Sequence, residues 1–592
     1  MVELTGFDWL VIVGYLAIAL AIGLFFRKRA GRDLSSFFLS GRSLPWWIAG
    51  TSMVATTFAA DTPLAVTGLV ARHGLAGNWF WWSFALGGML TVFLYARLWR
   101  RAEVLTDVEL VELRYGGKPA AFLRGFRAIY IALLVNSIII GWVTGAMVTV
   151  LQQTIFAGRA AGAGGNEWIL IVTLLGVVGV YATASGLWGV AITDFLQFIL
   201  AMVGSVALAV IAVDHLGGLG AMRARVVASF PEGDDAFRYL PDFSAVDPWM
   251  PIGIFLVMLF VQWWASWYPG AEPGGGGYVV QRMASAKDER HSVLATLWFQ
   301  IAHYCVRPWP WLLVAFAALA LYPDLRTMDN PGVGYPSVIR DLAPAGIRGL
   351  ILVAFFAAFM STISTQMNWG ASYLVNDFYR RFVRPEADDR HLTRVSRAAS
   401  ILVLAVGSAA AWLMRDISVD EAWKLLAALG AGTGAVFMLR WFWWRLNAWS
   451  EIVAMVASLI GFIIVSGFVE AIEYRLAVVA ALTIAAWLTA TYLTPPEGES
   501  TLRAFYRKVR PAGPGWRPIA RTLPEVRGDG HLGLSVVAAL LAAGIVYCTL
   551  PAIGLILFGS YGKGMLVLSG AVACAGGVVL LLRRIGWERV VR

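Results

Sequence analysis

The chain has 592 residues, of which 59% are hydrophobic and 14% charged, with 47 Lys and Arg against 37 Asp and Glu. The apolar residues come in blocks of about twenty or more, which excludes a soluble globular protein and fits a polytopic membrane protein. The three Cys lie in apolar segments and the six His show no metal-ligand spacing, so neither a disulfide framework nor a zinc site is indicated.

A hydropathy window roughly twenty residues long predicts about fifteen spans. The first, 7–26, has Asp8 at its start and no small-residue cleavage site, so it reads as a membrane span rather than a cleaved signal peptide. Spans follow at 44–70, 79–98, 128–156, 168–184, 187–213, 249–268, 293–322 and 349–375. The remaining six are 398–414, 422–439, 452–469, 477–493, 532–558 and 565–582, with 422–469 divided around Arg440–Arg445.

Alternate loops differ in basic charge. One set, which includes Arg97 to Arg127, Arg282 to Arg290, Arg380 to Arg397 and Arg503 to Arg527, carries about 34 of the 47 Lys and Arg; the other carries about 12. The positive-inside rule then places the N-terminus outside and the C-terminus in the cytoplasm of a cell (plasma or inner) membrane. The positive charge is thus a topology signal, and no nucleic-acid partner is expected.

The expected organisation is an extra N-terminal helix (1–30), two five-helix blocks (44–216 and 249–416) and additional C-terminal helices (417–592) with a cytoplasmic loop at 495–531. The second and seventh spans occupy corresponding places in the two blocks, and both are interrupted. Pro63 lacks an N–H and clashes with the carbonyl of Ala59, so helical bonding should fail near there. The seventh span runs from Gln262 through Pro269 into Pro273 and Gly274–Gly277. Broken helices at corresponding positions point to a transporter's midplane site.

The span 349–375 carries Ser361, Thr362, Ser364 and Thr365. On a helix Ser361, Ser364 and Thr365 fall at i, i+3 and i+4 and share one face with Ala358. Any single Ser could serve helix packing, but four hydroxyls beside an available carboxylate suit a hard cation such as Na+. The carboxylate is Asp194, inside the span 187–213; the other reading is a hydrated acid near the membrane surface. Asp61 is a second mid-span acid, which could contact solute or cap the helix restarting at Thr62-Pro63. Most of the 27 Trp should lie in interfacial belts. Trp263, Trp264 and Trp267, beside Gln262 in a broken span, could instead stack on a solute. Arg307, before Pro308, is an intramembrane cation whose partner the sequence does not identify.

Four ordered stretches resemble the sodium/solute symporter family, whose members carry sugars, proline, pantothenate or sialic acid. They are Ser36 to Trp47 followed by Gly50 to Ala55, Ser185 to Gln197, Val279 to Lys287, and Ala357 to Thr362 with Asn376 to Arg380. The resemblance covers roughly Phe7 to Met414 and implies an all-α membrane protein with a leucine-transporter-like core of two inverted five-helix repeats. By resemblance, one sodium ion is held by Ala55, Phe58, Ala358, Ser361 and Thr362. A second site, present in some members, matches Asp194, Ser364 and Thr365 with Ser361 shared. Thr57 falls where proline carriers have a functional Asp, and Phe80 lies near the sugar carriers' acidic contact. Candidate solute contacts are Thr57, Asp61, Thr62, Gln262, Trp263, Trp264 and Trp267.

The expected function is therefore sodium-coupled import of a small organic solute, with one or two Na+ per cycle and a monomer sufficient for transport. A proton-coupled carrier is the nearest alternative. A transporter-like sensor would need an output domain, and the stretch after Pro495 is too short for one. A membrane enzyme would need a catalytic constellation that the sequence does not offer.

Overall fold

The structure is a computed structural model that describes residues 4–157, 165–230, 233–245, 248–266, 270–415, 417, 422–423 and 430–585. Among these residues the regular structure is helical, apart from one isolated bridge between Leu44 and Ala286. Among the described residues eleven helices are long and apolar enough to cross a membrane, and a bent pair makes a twelfth span. The protein is a multi-pass membrane protein.

Helix α1 (Gly6–Ala30) starts at a capping box in which Thr5 and Asp8 satisfy each other's backbone N–H groups. The Asp8 carboxylate also accepts N–H bonds from Gly346 (2.9 Å) and Gly349 (2.7 Å), which fastens α1 to a distant span. The second span consists of α2 (Trp46–Thr57) and α3 (Asp61–His73), bent by 56° at the break. Pro63 sits in the first turn of α3, where its missing N–H has no intrahelical acceptor to lose. Asp61 is the first residue of α3 and makes no capping bond, so the expected cap is not formed.

Helices α4 (Leu75–Ala102) and α5 (Gly117–Gln153) follow. The next helix, α6 (Gly165–His215), contains two of the sequence-predicted spans, because Gly186 (φ 54°, ψ −162°) kinks it. That left-handed φ favours glycine. The seventh span is divided into α7 (Ile252–Ala265) and α8 (Gly277–Ser285). Then come α9 (Glu289–Leu321), α10 (Ile347–Val383) and α11 (Asp389–Leu413). Most of the predicted span 422–439 lies outside the described residues, which include Ala422, Trp423 and α12 (Gly434–Leu439). Helices α13 (Ala448–Val465) and α14 (Ile472–Leu493) pair with each other, as do α16 (Leu532–Leu557) and α17 (Tyr561–Ile585).

The core is organised around α10, which packs on α6, α1 and α11 and is buried along nearly all of 349–372. Helix α2 lies against α9 closely enough that a Cβ at Gly50 would sit 2.5 Å from the Ala295 carbonyl. The segment between α14 and α16 packs against Arg101, Arg114 and Trp441. Its helix α15 (Glu499–Val509) and Trp516 enclose the buried Arg114, whose guanidinium carbon is 4.9 Å from the Trp516 ring centroid. Trp516 donates to the Trp441 carbonyl (2.8 Å), and Arg101 bridges Glu289 (2.7 Å) and Asp529 (2.8 Å).

Candidate cation and solute sites

The hydroxyl face of α10 is fully inside the protein, since Ser361, Ser364 and Thr365 have no exposed surface and Thr362 almost none. Two turns beyond the Gly186 kink, α6 brings Asp194 to this face. Ser361 donates to Asp194 Oδ1 (2.7 Å), and Ser52 of α2 donates to Oδ2. The buried carboxylate therefore joins three separate helices.

Arg282 completes this cluster and corrects the topology reading. Its place among the basic residues predicts a loop, but it sits on α8 with its side chain wholly buried. Nη2 lies 3.4 Å from Asp194 Oδ2 and donates to Thr365 Oγ1 at 2.6 Å. Nε donates to Ser52 Oγ (3.0 Å) and Nη1 to Gln281 Oε1 (2.9 Å). Thr365 also lies 3.1 Å from the Thr56 hydroxyl, and Ser364 turns back to the Ser361 carbonyl at 3.0 Å. Thus Ser361 touches Asp194, Thr365 meets the guanidinium, and Ser364 bonds within its own helix.

A second set of oxygens lies at the break. Thr362 Oγ1 donates to the Thr56 carbonyl (3.0 Å) and the Ala358 carbonyl (3.1 Å), tying α10 to the end of α2. A helix's last carbonyls lack intrahelical partners, and here that end is capped by the Phe58 N–H, which reaches Ala55 O at 3.1 Å and Val54 O at 2.9 Å. Phe58 itself leaves helical geometry (φ −92°, ψ 70°), and its ring meets Trp311 edge-on at 4.5 Å. Thr362 thus joins the Ala358 carbonyl on α10 to the end of α2 beside Ala55 and Phe58, an all-oxygen setting of the kind hard cations take, while the Ser361 hydroxyl turns to Asp194.

Next to this junction is a cavity of about 60 Å³. Thr57, Asp61 and Thr62 line it from the break, with Trp81, Trp142 and Tyr278 among its aromatic walls. Asp61 Oδ2 accepts the Trp423 indole N–H at 3.0 Å; among the described residues nothing hydrogen-bonds Oδ1. Arg307 lines the same space, donating to Thr57 Oγ1 (3.0 Å) and to the His303 carbonyl (3.2 Å). Its Nη2 is 3.0 Å from His303 Nε2. The cavity therefore carries an acid and a guanidinium among aromatic walls.

Three expected contacts do not line this cavity. Gln262 donates to the Phe80 carbonyl (2.8 Å), Trp263 packs against Gly87, and Trp264 donates to Phe260 O (2.7 Å). A π-helical turn over Met258–Gln262 shifts the helix register just before them. Trp267 lies outside the described residues. Sequence reasoning missed His303, Gln366, Trp142 and Trp423, all of which line the cavity. For His303 a signal existed, since it precedes Arg307 by four residues and so shares its helical face.

A sequence model of the Sodium:solute symporter family matches residues 37–461, well over half of the chain. The chain belongs to the sodium:solute symporter family. This symporter is 26% identical over 481 residues to a sodium/glucose cotransporter 1 from Oryctolagus cuniculus, covering 74% of the chain and 69% of that relative. A sodium/glucose cotransporter from Vibrio parahaemolyticus is 24% identical over 482 residues, with 77% and 84% covered. Among solved structures, a Na+-coupled sialic acid symporter in a substrate-bound outward-open state superposes with TM-score 0.67 at 22% identity, covering 83% of this chain and 99% of that one. The fold is leucine-transporter-like, and the protein is a sodium-coupled secondary-active symporter of a small organic solute.

Proposed function

We propose that the symporter's first sodium ion binds where α10 meets the end of α2, held by the carbonyls of Ala55, Phe58 and Ala358 with the hydroxyls of Ser361 and Thr362. The observation that carries this is the Thr362 hydroxyl, which reaches the Thr56 carbonyl across the junction. A cation there replaces weak interhelical hydrogen bonds by ion–oxygen contacts and draws the broken span onto α10. Sodium would then favour one conformation, and coupling follows because solute binds against the same break.

A second sodium ion would use Asp194, Ser361, Ser364 and Thr365. Arg282 already neutralises Asp194 in the conformation described, so this ion needs the guanidinium to withdraw. The number of ions per cycle, one or two, is thus set by Arg282.

The solute occupies the cavity beside Thr57, Asp61 and Thr62. Arg307 favours a carboxylate or another strong acceptor on the solute, and Asp61 a hydroxyl or ammonium. Import runs across a cell (plasma or inner) membrane with the N-terminus outside and the C-terminus cytoplasmic, and a monomer suffices. Blocks 44–216 and 249–416 act as the two five-helix repeats, with 417–592 appended. Screening labelled solutes in proteoliposomes tests this reading: uptake should need an inward sodium gradient, and uptake driven equally by a proton gradient alone would overturn it.

A further inference from the structure

The break between α7 and α8 buries a carboxylic acid that neither sodium site uses. Glu272 is 5% exposed. Its Oε2 accepts the Gly270 N–H at 3.0 Å, and among the described residues nothing hydrogen-bonds Oε1. No described Lys, Arg or His forms an ion pair with it.

The setting is built rather than loose. Gly275 N–H donates to the Glu272 carbonyl (2.8 Å), closing a turn with Pro273 second and Gly274 (φ 76°) third, the pattern a type II turn demands. The Trp99 indole N–H holds the Gly274 carbonyl at 2.8 Å, fastening this turn to α4. A Cβ at Gly277 would come 2.7 Å from Glu272 Oε1 and 3.1 Å from Trp369, so α10 closes the other side. The titratable groups facing the turn are Tyr95 on α4, Asp107 just beyond α4 and Tyr278 on α8, with the Tyr373 hydroxyl of α10 bonded to Asp107. None supplies positive charge. The Arg440 guanidinium carbon, 5.8 Å from the Trp99 ring centroid, is paired with Glu451 (3.2 Å). Gly270 and Ala271, immediately before Glu272, line the solute cavity.

A lone carboxylate enclosed this way gives up its charge by taking a proton rather than remaining ionised. We propose that Glu272 is a proton-binding site of this symporter: it is held as the neutral acid, with the proton on Oε1, while the break is closed, and it passes that proton to water when the break opens. This rests on the transporter reading but on neither sodium site. Proton occupancy thereby becomes a condition for the closed break, and raising the pH favours opening.

Infrared titration of the full-length protein in lipid vesicles, without sodium or solute, tests this directly. The wild type should show a buried protonated-carboxyl band at neutral pH that disappears at alkaline pH, and Glu272→Gln should remove that band while folding normally, since glutamine matches the neutral acid. Amide exchange over 270–285, corrected for its intrinsic pH dependence, should speed up at least tenfold across the same transition in the wild type and not in Glu272→Gln. A band undiminished by Glu272→Gln, a wild type with no such band, a Glu272→Gln protein that fails to fold, or exchange that follows pH equally in both proteins would each overturn the proposal. Sodium binding measured in the same vesicles reads the symporter sites separately, so a failure of one reading is not mistaken for failure of the other.

Discussion

Arg282 Nη2 stands between Asp194 Oδ2, at 3.4 Å, and Thr365 Oγ1, at 2.6 Å, with both charged side chains wholly buried. The guanidinium thus occupies the approach that a cation would use to reach the carboxylate. Breaking a buried pair by removing one partner leaves an uncompensated charge, and the penalty is about 3–5 kcal/mol.

Arg282→Gln should therefore destabilise the sodium-free protein and expose Asp194 to sodium. Bound ligand stabilises the state it binds by RT ln(1 + [L]/Kd). Thermal unfolding in detergent, in sodium against choline, should show a larger sodium-dependent rise in Tm for Arg282→Gln than for the wild type. Equal rises would separate Arg282 from any sodium site.

Asp194→Asn strands the guanidinium instead. Stability should fall by about 3–5 kcal/mol, with a sodium-dependent rise in Tm no larger than the wild type's, in contrast to Arg282→Gln. Chemical or thermal unfolding of the two variants side by side provides the contrast.

Arg307→Lys keeps the charge in the solute cavity but loses the planar fork that binds Thr57 and His303. Half-saturation for solute should rise about tenfold, corresponding to about 1.4 kcal/mol, while sodium affinity in the absence of solute stays unchanged. Uptake kinetics together with sodium binding separate these effects.

Gly50→Ala should force α2 away from α9, because the new Cβ would lie 2.5 Å from the Ala295 carbonyl, which is backbone and cannot rotate aside. Overpacking of this kind destabilises by about 1–3 kcal/mol. A lower Tm and weaker sodium binding are expected together, since α2 carries Ala55.

Acid should loosen the loop end of the molecule through Glu112, which lies between the spans α4 and α5. Burial raises its pKa, but hydrogen bonds from Arg381 (2.9 Å) and Arg124 (2.8 Å) outweigh this and hold it below the ordinary value. A carboxyl depressed on folding contributes stability above its unfolded pKa and loses it as pH falls through the folded one. Glu112→Gln should therefore flatten the acid side of the stability profile, by about 1 kcal/mol or less given the exposure of Arg381.

Much of the fold was legible because its causes are local. Pro63 marks the break after α2 and the glycine run the break before α8, and the boundary expected between spans 168–184 and 187–213 falls at the Gly186 kink inside α6. The hydroxyl face of α10 follows from helical spacing alone. What spacing cannot show is which helix lies opposite. Arg282 reads as a loop cation until α8 carries it to Asp194, and the register shift at Met258–Gln262 turns Trp263 and Trp264 from the cavity. The cavity's aromatic walls come from α4, α5, α8 and α9 together with Trp423, elements far apart in sequence.

Sodium binding at the α2–α10 junction is tested most directly by equilibrium radiosodium binding to the purified protein, which needs no knowledge of the solute. Wild-type protein should bind sodium saturably, and Ser361→Ala should weaken binding at least tenfold because that hydroxyl belongs to both proposed ion sites. Unchanged sodium affinity in Ser361→Ala would contradict it.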